Sequence, residues 1–411
     1  MVFQKRNKKA SSTTNQNTRM IDQGNESSTT LNIQQQQQDQ ILSYSCSFTP
    51  QEETYTYFIT DVKVDPKRKL LLASTYSSGR INVHDLESKK LLYSIKVGGD
   101  SSGCCYYLNI EEPFENENDL MGHHQSSQNN TNNNGSVEQR SLNGQVIPCN
   151  LTLNQETIQM ACTYPSVIVT TDMYSFYTVE KYIMCPTLYE PHSKTHRSNY
   201  IDKSRLWKSS ASEFHALRGL CIDHASRKVY VSDRDANRIR VLSSRDGQLL
   251  NSFQFNSPTD ITFYEGNLLV CEKSTHSVHV VSPIDGTIVR SIANGSFSYP
   301  RGVIVDPNTR HIIVSDSDHH KLKIFNWTGE MLEEFQQAPG SHSNLLNTPF
   351  GVSLDYHSGL LYVADCYNYK IQIFKYNARW YKNEKRFKEL MTSPKQEQFS
   401  DVTILVFELI Q

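Results

Sequence analysis

His311–Trp327 reads HIIVSDSDHHKLKIFNW, and Leu360–Tyr376 reads LLYVADCYNYKIQIFKY. Each is an apolar run ending in Asp, then a short polar turn, a basic residue, and a strand alternating apolar with polar. KVYVSDRDANRIRVL, Lys228–Leu242, is a third copy. LLVCEKSTHSVHVV, Leu268–Val281, is a fourth in which Glu272 replaces the Asp. In three copies a G-h-x-h-D segment, with h apolar, stands ten residues upstream of the anchor acid: GLCID ending at Asp223, GVIVD at Asp306 and GVSLD at Asp355. A strand-turn-strand unit this short cannot bury its own apolar face, so copies must pack on one another.

Working outward from these copies, four regular units occupy approximately 214–255, 256–298, 299–347 and 348–376. Asp246-Gly247, Asp285-Gly286 and Thr328-Gly329 supply tight turns between third and fourth strands. Phe58–Ile95 is a further full copy, with Asp65 as upstream acid, Ser74 at the anchor position and Arg80 as the basic residue. Val169–Val179 keeps the ten-residue apolar spacing of Val231–Val241 and marks a degenerate second unit, with Cys104–Ile110, Thr157–Tyr164 and Ser166–Met184 as strands. The total is six. Repeats of roughly 40–50 residues with four short strands each specify an all-β fold, a six-bladed β-propeller. ILSYSCSF, from Ile41, is a lone strand ahead of the first unit. It is placed to complete the last blade and remove an open sheet edge.

The rest of the 411 residues is polar. Residues 1–41 are rich in Ser, Thr, Asn and Gln and read as a disordered low-complexity tail, with a basic cluster at Lys5, Arg6, Lys8 and Lys9. An acidic, Asn-rich insertion, 111–145, interrupts the second unit and reads the same way. The propeller therefore spans 42–376, with a long loop at 186–213. Net charge is −2, so no global bias toward nucleic acid or anionic membrane exists. No apolar run approaches the roughly 20 residues of a membrane span, and the N-terminus has no apolar core of a secretory leader. Nine scattered Cys without C-x-x-C spacing read as small buried hydrophobes in a reducing compartment, giving a cytoplasmic or nuclear expectation.

The repeat resembles the NHL repeat, whose pattern runs P-x-G-h-x-h-D, then h-Y-V-A-D, a polar turn and R-I-Q-V-F. Pro300–Asp306 with Val314–Phe325, and Pro349–Asp355 with Tyr362–Phe374, match it nearly position by position. The resemblance is strong over 214–376, fair over 57–99 and poor over 100–213. It implies a propeller that binds a protein or peptide, or RNA, through one face, and no chemistry by itself. The tail carries a second resemblance. Asn377–Met391 has helical spacing, and FSDVTILV, Phe399–Val406, resembles the opening strand of BTB domains. That implies dimerisation and substrate recognition for a cullin-type ubiquitin ligase in a longer chain.

Asp233, Glu272, Asp316 and Asp365 recur at one point of each copy, with Arg238, Lys321 and Lys370 five residues after the Asp anchors. A recurrent acid is structural: it caps turn amides or pairs with the base opposite. The binding surface is expected at Arg234, Arg238 and Arg240, which crowd one blade, and at Lys203, Arg205 and Trp207 in the long loop, where basic and aromatic residues interleave. Some NHL-like propellers are metal-dependent lyases or lactonases, and Asp316, Asp318, His319 and His320 offer ligands. The other blades offer no matching His set, and His123–His124 has no further ligand at a suitable spacing. The expectation is a non-enzymatic scaffold with no cofactor or metal. RNA is the weaker alternative, since 214–376 carries 15 Lys plus Arg against 16 Asp plus Glu.

Overall fold

A computed structural model describes residues 41–50, 57–76, 78–97, 104–116, 119–120, 155–173, 176–189, 204–209, 214–336 and 345–377. The BTB-like segment, Lys203, the N-terminal tail and most of the 111–145 insertion lie outside them.

Among the described residues, twenty-four strands form six four-stranded antiparallel sheets. After β1 (Leu42–Phe48), blade one holds β2–β5 (Ile59–Asp65, Leu70–Thr75, Arg80–Asp85, Leu91–Lys96). Blade two holds β6–β9 (Cys104–Glu111, Ser166–Met173, Phe176–Ile183, Arg205–Lys208), and blade three β10–β13 (Leu217–Asp223, Lys228–Asp233, Arg238–Ser243, Leu249–Gln254). Blade four holds β14–β17 (Pro258–Tyr264, Asn267–Glu272, Ser277–Val281, Ile288–Ile292), and blade five β18–β21 (Pro300–Val305, Ile312–Asp316, Lys321–Phe325, Met331–Gln336). Blade six is β22–β24 (Pro349–Asp355, Leu360–Asp365, Lys370–Tyr376) plus β1, which pairs antiparallel with β24 from Leu42↔Tyr376 to Phe48↔Ile371. The first strand therefore closes the last blade, and the ring has no open seam. Inner strands touch in sequence, β2 with β6, β6 with β10, and so on to β22, which returns to β2.

Every blade has two apolar faces, and the six hydrophobic cores lie between blades. Leu72, Ile81 and Val83 of blade one pack with Leu108, Val167 and Tyr182 of blade two; Ile313 and Leu322 of blade five pack with Val352 and Leu361 of blade six. This is the physical content of the repeat: each copy is half of two cores. The upstream acids are turn caps. Asp223 accepts the amides of Ala225 and Ser226 at 3.1 and 3.4 Å, and Asp355 those of His357 and Ser358 at 3.0 and 3.3 Å.

Blade two departs from the sequence reading in three places. Gln155–Thr163 is an α-helix (α1), not part of a strand; Ile158 and Ala161, three apart, share the face that packs into the core between blades two and three. The hairpin β7–β8 is two residues longer than the spacing suggested. Val169 pairs with Glu180, whereas Val231 pairs with Arg240, so Lys181 stands where blade three has Val241. The Lys181 ammonium is fully buried. It meets Glu111 at 2.5 Å and the carbonyl of Ser244 at 2.9 Å, and burial lowers its pKa. Finally, Arg205–Lys208 lies in the fourth strand rather than in a loop.

Candidate functional site

Each of the six inner strands carries a β-bulge at the same point, where the pairing with the second strand shifts: between Ile59 and Asp61, Cys105 and Leu108, Leu217 and Leu220, Pro258 and Ile261, Pro300 and Gly302, and Pro349 and Val352. A bulge frees one residue from the ladder and re-aims it. The freed residues are Thr60, Tyr106, Arg218, Thr259, Arg301 and Phe350, one per blade. All six line a single cavity of about 280 Å³. In blades five and six this is the unspecified x of the P-x-G segment, read in sequence as a spacer. The rest of the lining is Tyr107, next to the freed Tyr106, with residues just before the inner strand (Phe58, Tyr299) or just after the second strand (Tyr76, Arg234, Cys366, Tyr367). The cavity thus opens on the face formed by the turns between second and third strands.

Hydroxyls on the second strands fix the freed residues from the neighbouring blade. Ser74, Thr170 and Ser315 donate to the carbonyls of Tyr106, Arg218 and Phe350 at 2.8, 2.9 and 2.5 Å. The position after each freed residue faces the axis. Glycine occupies it in blades three, five and six because a neighbour needs the space. A Cβ on Gly219 would lie 2.5 Å from Cα of Asp260, and one on Gly351 would lie 2.8 Å from Cα of Asp61. In blade two the position holds Tyr107, whose hydroxyl donates across the axis to the carbonyl of Arg301 at 2.6 Å.

Arginine dominates the charge at the cavity. Among the described residues Arg218, Arg234 and Arg301 line it and no carboxylate does, while Asp235, just outside the lining, pairs with Arg234 at 2.6 Å. The Arg301 guanidinium lies over two rings, 3.8 Å from the centroid of Tyr299 and 4.2 Å from that of Phe350; Arg218 lies 4.3 Å over Tyr106. Arg234 donates to the Tyr299 hydroxyl at 3.0 Å, and Lys273 lies 4.6 Å over the same ring. Burial opposes ionisation of Tyr299, yet the charges of Arg301, Arg234 and Lys273 outweigh it and lower the phenol's pKa. Cys366 also lines the cavity, but burial pushes its thiol up to about 12, far from thiolate chemistry at neutral pH. Beneath the cavity the carboxylate of Asp260 accepts the amide of Val303 at 2.9 Å. Desolvation, offset in part by Lys63 and reinforced by Asp61, raises it to about 7.

The sequence-predicted residues divide. Arg234 is in the cavity. Arg240 is not; its Nε donates to buried Asp233 at 3.1 Å. Arg238 is exposed and reaches Ser252 at 3.4 Å, and Arg245 holds Asp119 at 3.0 Å, so these arginines form no common patch. Trp207 is 3% exposed, donates to the Ser244 carbonyl at 2.9 Å and rests against Gly247. Arg205 approaches Glu180 at 3.7 Å. Trp207 is core, not a surface platform.

The anchor acids have different partners from those expected. Asp233 accepts the amides of His215 and Ala216 at 3.1 Å and pairs with Arg240 rather than Arg238. Glu272 pairs with His279 at 2.9 Å. Asp316 pairs with Lys323 at 2.8 Å rather than Lys321, which reaches Glu334 at 2.7 Å. Asp365 accepts from Gln372 at 2.6 Å and from the amide of Asn347 at 2.7 Å. In blade one the register sets Thr75, not Ser74, opposite Arg80. Of the proposed metal ligands, His319 donates through Nδ1 to the Asp316 carboxylate at 2.7 Å and His320 accepts the Thr348 amide at 2.9 Å. Among the described residues no three His, Cys, Asp or Glu side chains converge as a metal site, and no helix is long and apolar enough to cross a membrane.

Residues 297–325, the first three strands of blade five, match the family model of the NHL repeat. Over 169 residues, 37% of this chain, the sequence is 25% identical to Protein brain tumor of Drosophila melanogaster, and the match covers 16% of that protein's length. A structural genomics protein of unknown function from Bacteroides thetaiotaomicron is similar in structure at a TM-score of 0.47 and 11% identity, over 81% of this chain and 75% of that one.

Proposed function

We propose that this NHL-repeat propeller is a non-enzymatic binding module that presents the face around the central cavity to a protein or peptide partner. One observation carries the reading. All six blades deliver one bulge-freed residue to the same cavity, which gathers three arginines among aromatic rings and no carboxylate. Tyr, Phe and Arg are the residue types that anchor interfaces, and here a closed ring of strands holds them rigid. Arginine beside aromatic rings is also chemistry that grips single-stranded RNA, which is the second reading.

Charge reversal on one face at a time tests the proposal. Proteins captured by the full chain are expected to be lost with Arg218→Glu plus Arg301→Glu. They are expected to remain with Lys67→Glu plus Lys69→Glu, on the turns of the opposite face, where both side chains are largely exposed. Identical capture by both variants would sink the reading. Capture of single-stranded RNA alone, weakening steeply with salt, would favour the second.

A further inference from the structure

We infer that the central cavity recognises an oxyanion, a phosphate monoester or a carboxylate, on a side chain of a peptide partner. The inference rests on the binding-module reading and names the chemistry of its site.

The argument begins with what each arginine leaves unused. The guanidinium carbon of Arg301 lies over two rings, 3.8 Å from the centroid of Tyr299 and 4.2 Å from that of Phe350. Stacking of this kind holds the plane and removes water from its faces, while the N–H groups point outward along the edge. Its Nε is buried yet has no hydrogen-bond partner. A buried donor without a partner carries a desolvation cost, and an acceptor bound at this guanidinium would relieve it. Arg301 and Arg218 form no ion pair with a carboxylate among the described residues. Arg218 gives one Nη to the carbonyl of Leu217 at 2.8 Å and lies on Tyr106, which fixes it in the same manner. Elsewhere in the ring Lys63, Lys181, Arg227, Arg240 and Lys323 are paired with acids. Lys89, which reaches the Tyr362 hydroxyl at 3.4 Å, and Arg290, which lies over Trp327 with a buried Nη2 that has no hydrogen-bond partner, are exceptions outside the cavity. The cavity is where two stacked guanidiniums, Arg218 and Arg301, meet without an ion-paired carboxylate among the described residues.

The geometry favours a point-like anion over a nucleic-acid strand. Base stacking needs free aromatic faces and a groove that follows several phosphates. Here the rings of Tyr106, Tyr299 and Phe350 already carry guanidiniums, Phe58 and Tyr76 pack on neighbouring rings and Tyr107 is buried, which leaves Tyr367 as the exposed ring of the lining. The space is about 280 Å³, room for one or two side chains. The planar fork of arginine matches the two oxygens of a carboxylate or phosphate and makes bonds about twice as strong as neutral ones. The charges of Arg301, Arg234 and Lys273 also lower the Tyr299 phenol, so the cations act on one point of the lining.

The test uses the full chain and degenerate peptide arrays that differ only at a central position: phosphoserine, phosphotyrosine, glutamate or glutamine. The expected result is retention on at least one anionic array and at least tenfold less on glutamine. Comparing phosphate with glutamate identifies which oxyanion fits. Arg301→Gln and Arg218→Gln are expected to remove the preference. Arg301→Lys, which keeps the charge and the stem across the rings but not the fork, is expected to weaken retention several-fold while folding normally by thermal melt. Equal retention on glutamine, or a preference that survives all three substitutions, overturns the inference. So does the absence of retention on every array, or arginine-dependent binding of a single-stranded 12-mer RNA in its place. If the face-reversal variants still lose their protein partner in any of those cases, the binding-module reading stands and only the anion is wrong.

Discussion

The hydroxyl of Tyr107 in blade two donates across the propeller axis to the carbonyl of Arg301 in blade five at 2.6 Å. In a six-membered ring these blades face each other, so one side chain both plugs the channel and ties the backbone of a cavity arginine. Tyr107 is 2% exposed. Tyr107→Phe keeps the ring and deletes the bond, and is expected to cost about 1 kcal/mol in denaturant unfolding, a typical net value for one hydrogen bond. No change in stability would mean that water replaces the bond.

Asp233 and Arg240 predict a contrast between two arginines two residues apart. Removing Arg240 strands a buried carboxylate. Arg240→Gln is therefore expected to destabilise by roughly 2–4 kcal/mol, within the range for breaking a buried pair. Arg238, exposed and opposite the same acid, should be within about 0.5 kcal/mol of wild type as Arg238→Gln. Chemical denaturation of the two variants decides it. A larger loss for Arg238 would contradict the diagonal pairing.

Gly351 and Gly266 separate steric need from backbone need. A Cβ at position 351 would stand 2.8 Å from Cα and 1.8 Å from Oδ1 of Asp61 in the next blade, so the blades must move apart. Gly351→Ala is expected to cost about 1–3 kcal/mol or more by overpacking. Gly266, at φ +73° with nothing within 4 Å, should lose only about 1–2 kcal/mol as Ala, from the left-handed backbone. A thermal melt in which Gly266→Ala is much the worse would refute the close approach.

Asp260 gives stability a pH dependence. Desolvation raises its folded-state pKa to about 7, above the ordinary carboxylate value that the unfolded chain would show. The folded state then binds the extra proton between those values. The group's contribution is fully present below the unfolded pKa and is lost as pH rises through about 7. Asp260→Asn cannot ionise, so its stability should decline less than wild type between pH 5 and pH 8. Parallel pH profiles from denaturant titration would contradict the assignment.

The architecture was legible because hydrophobic periodicity and the anchor acids repeat with the blade. The strand from Ile41 revealed the closure, since a ring needs a fourth strand for its last sheet. The cavity was not legible for a related reason. Its residues occupy the one variable position of a conserved-looking frame, Arg218, Arg301 and Phe350 before a glycine, and variation there reads as a spacer until the bulge is seen to free it. Clustering in sequence misled at Arg238 and Arg240, because neighbours on one strand met different partners: Arg238 solvent and Ser252, Arg240 the buried Asp233. Trp207 read as a loop aromatic because the strand around it is only four residues long, too short to show alternation. Lys181 broke the expected pattern of blade two, where a longer hairpin moved a lysine into a valine's place.

Hydrogen exchange of the full chain, alone and with a captured protein partner, tests the central claim most directly. Slowed exchange is predicted in peptides covering residues 58–60, 106–107, 218, 299–301, 350 and 366–367, which border one cavity although they are scattered along the chain. Protection confined to the opposite turns, at 66–69, 224–227, 307–310 and 356–359, with the cavity segments unchanged, would contradict it.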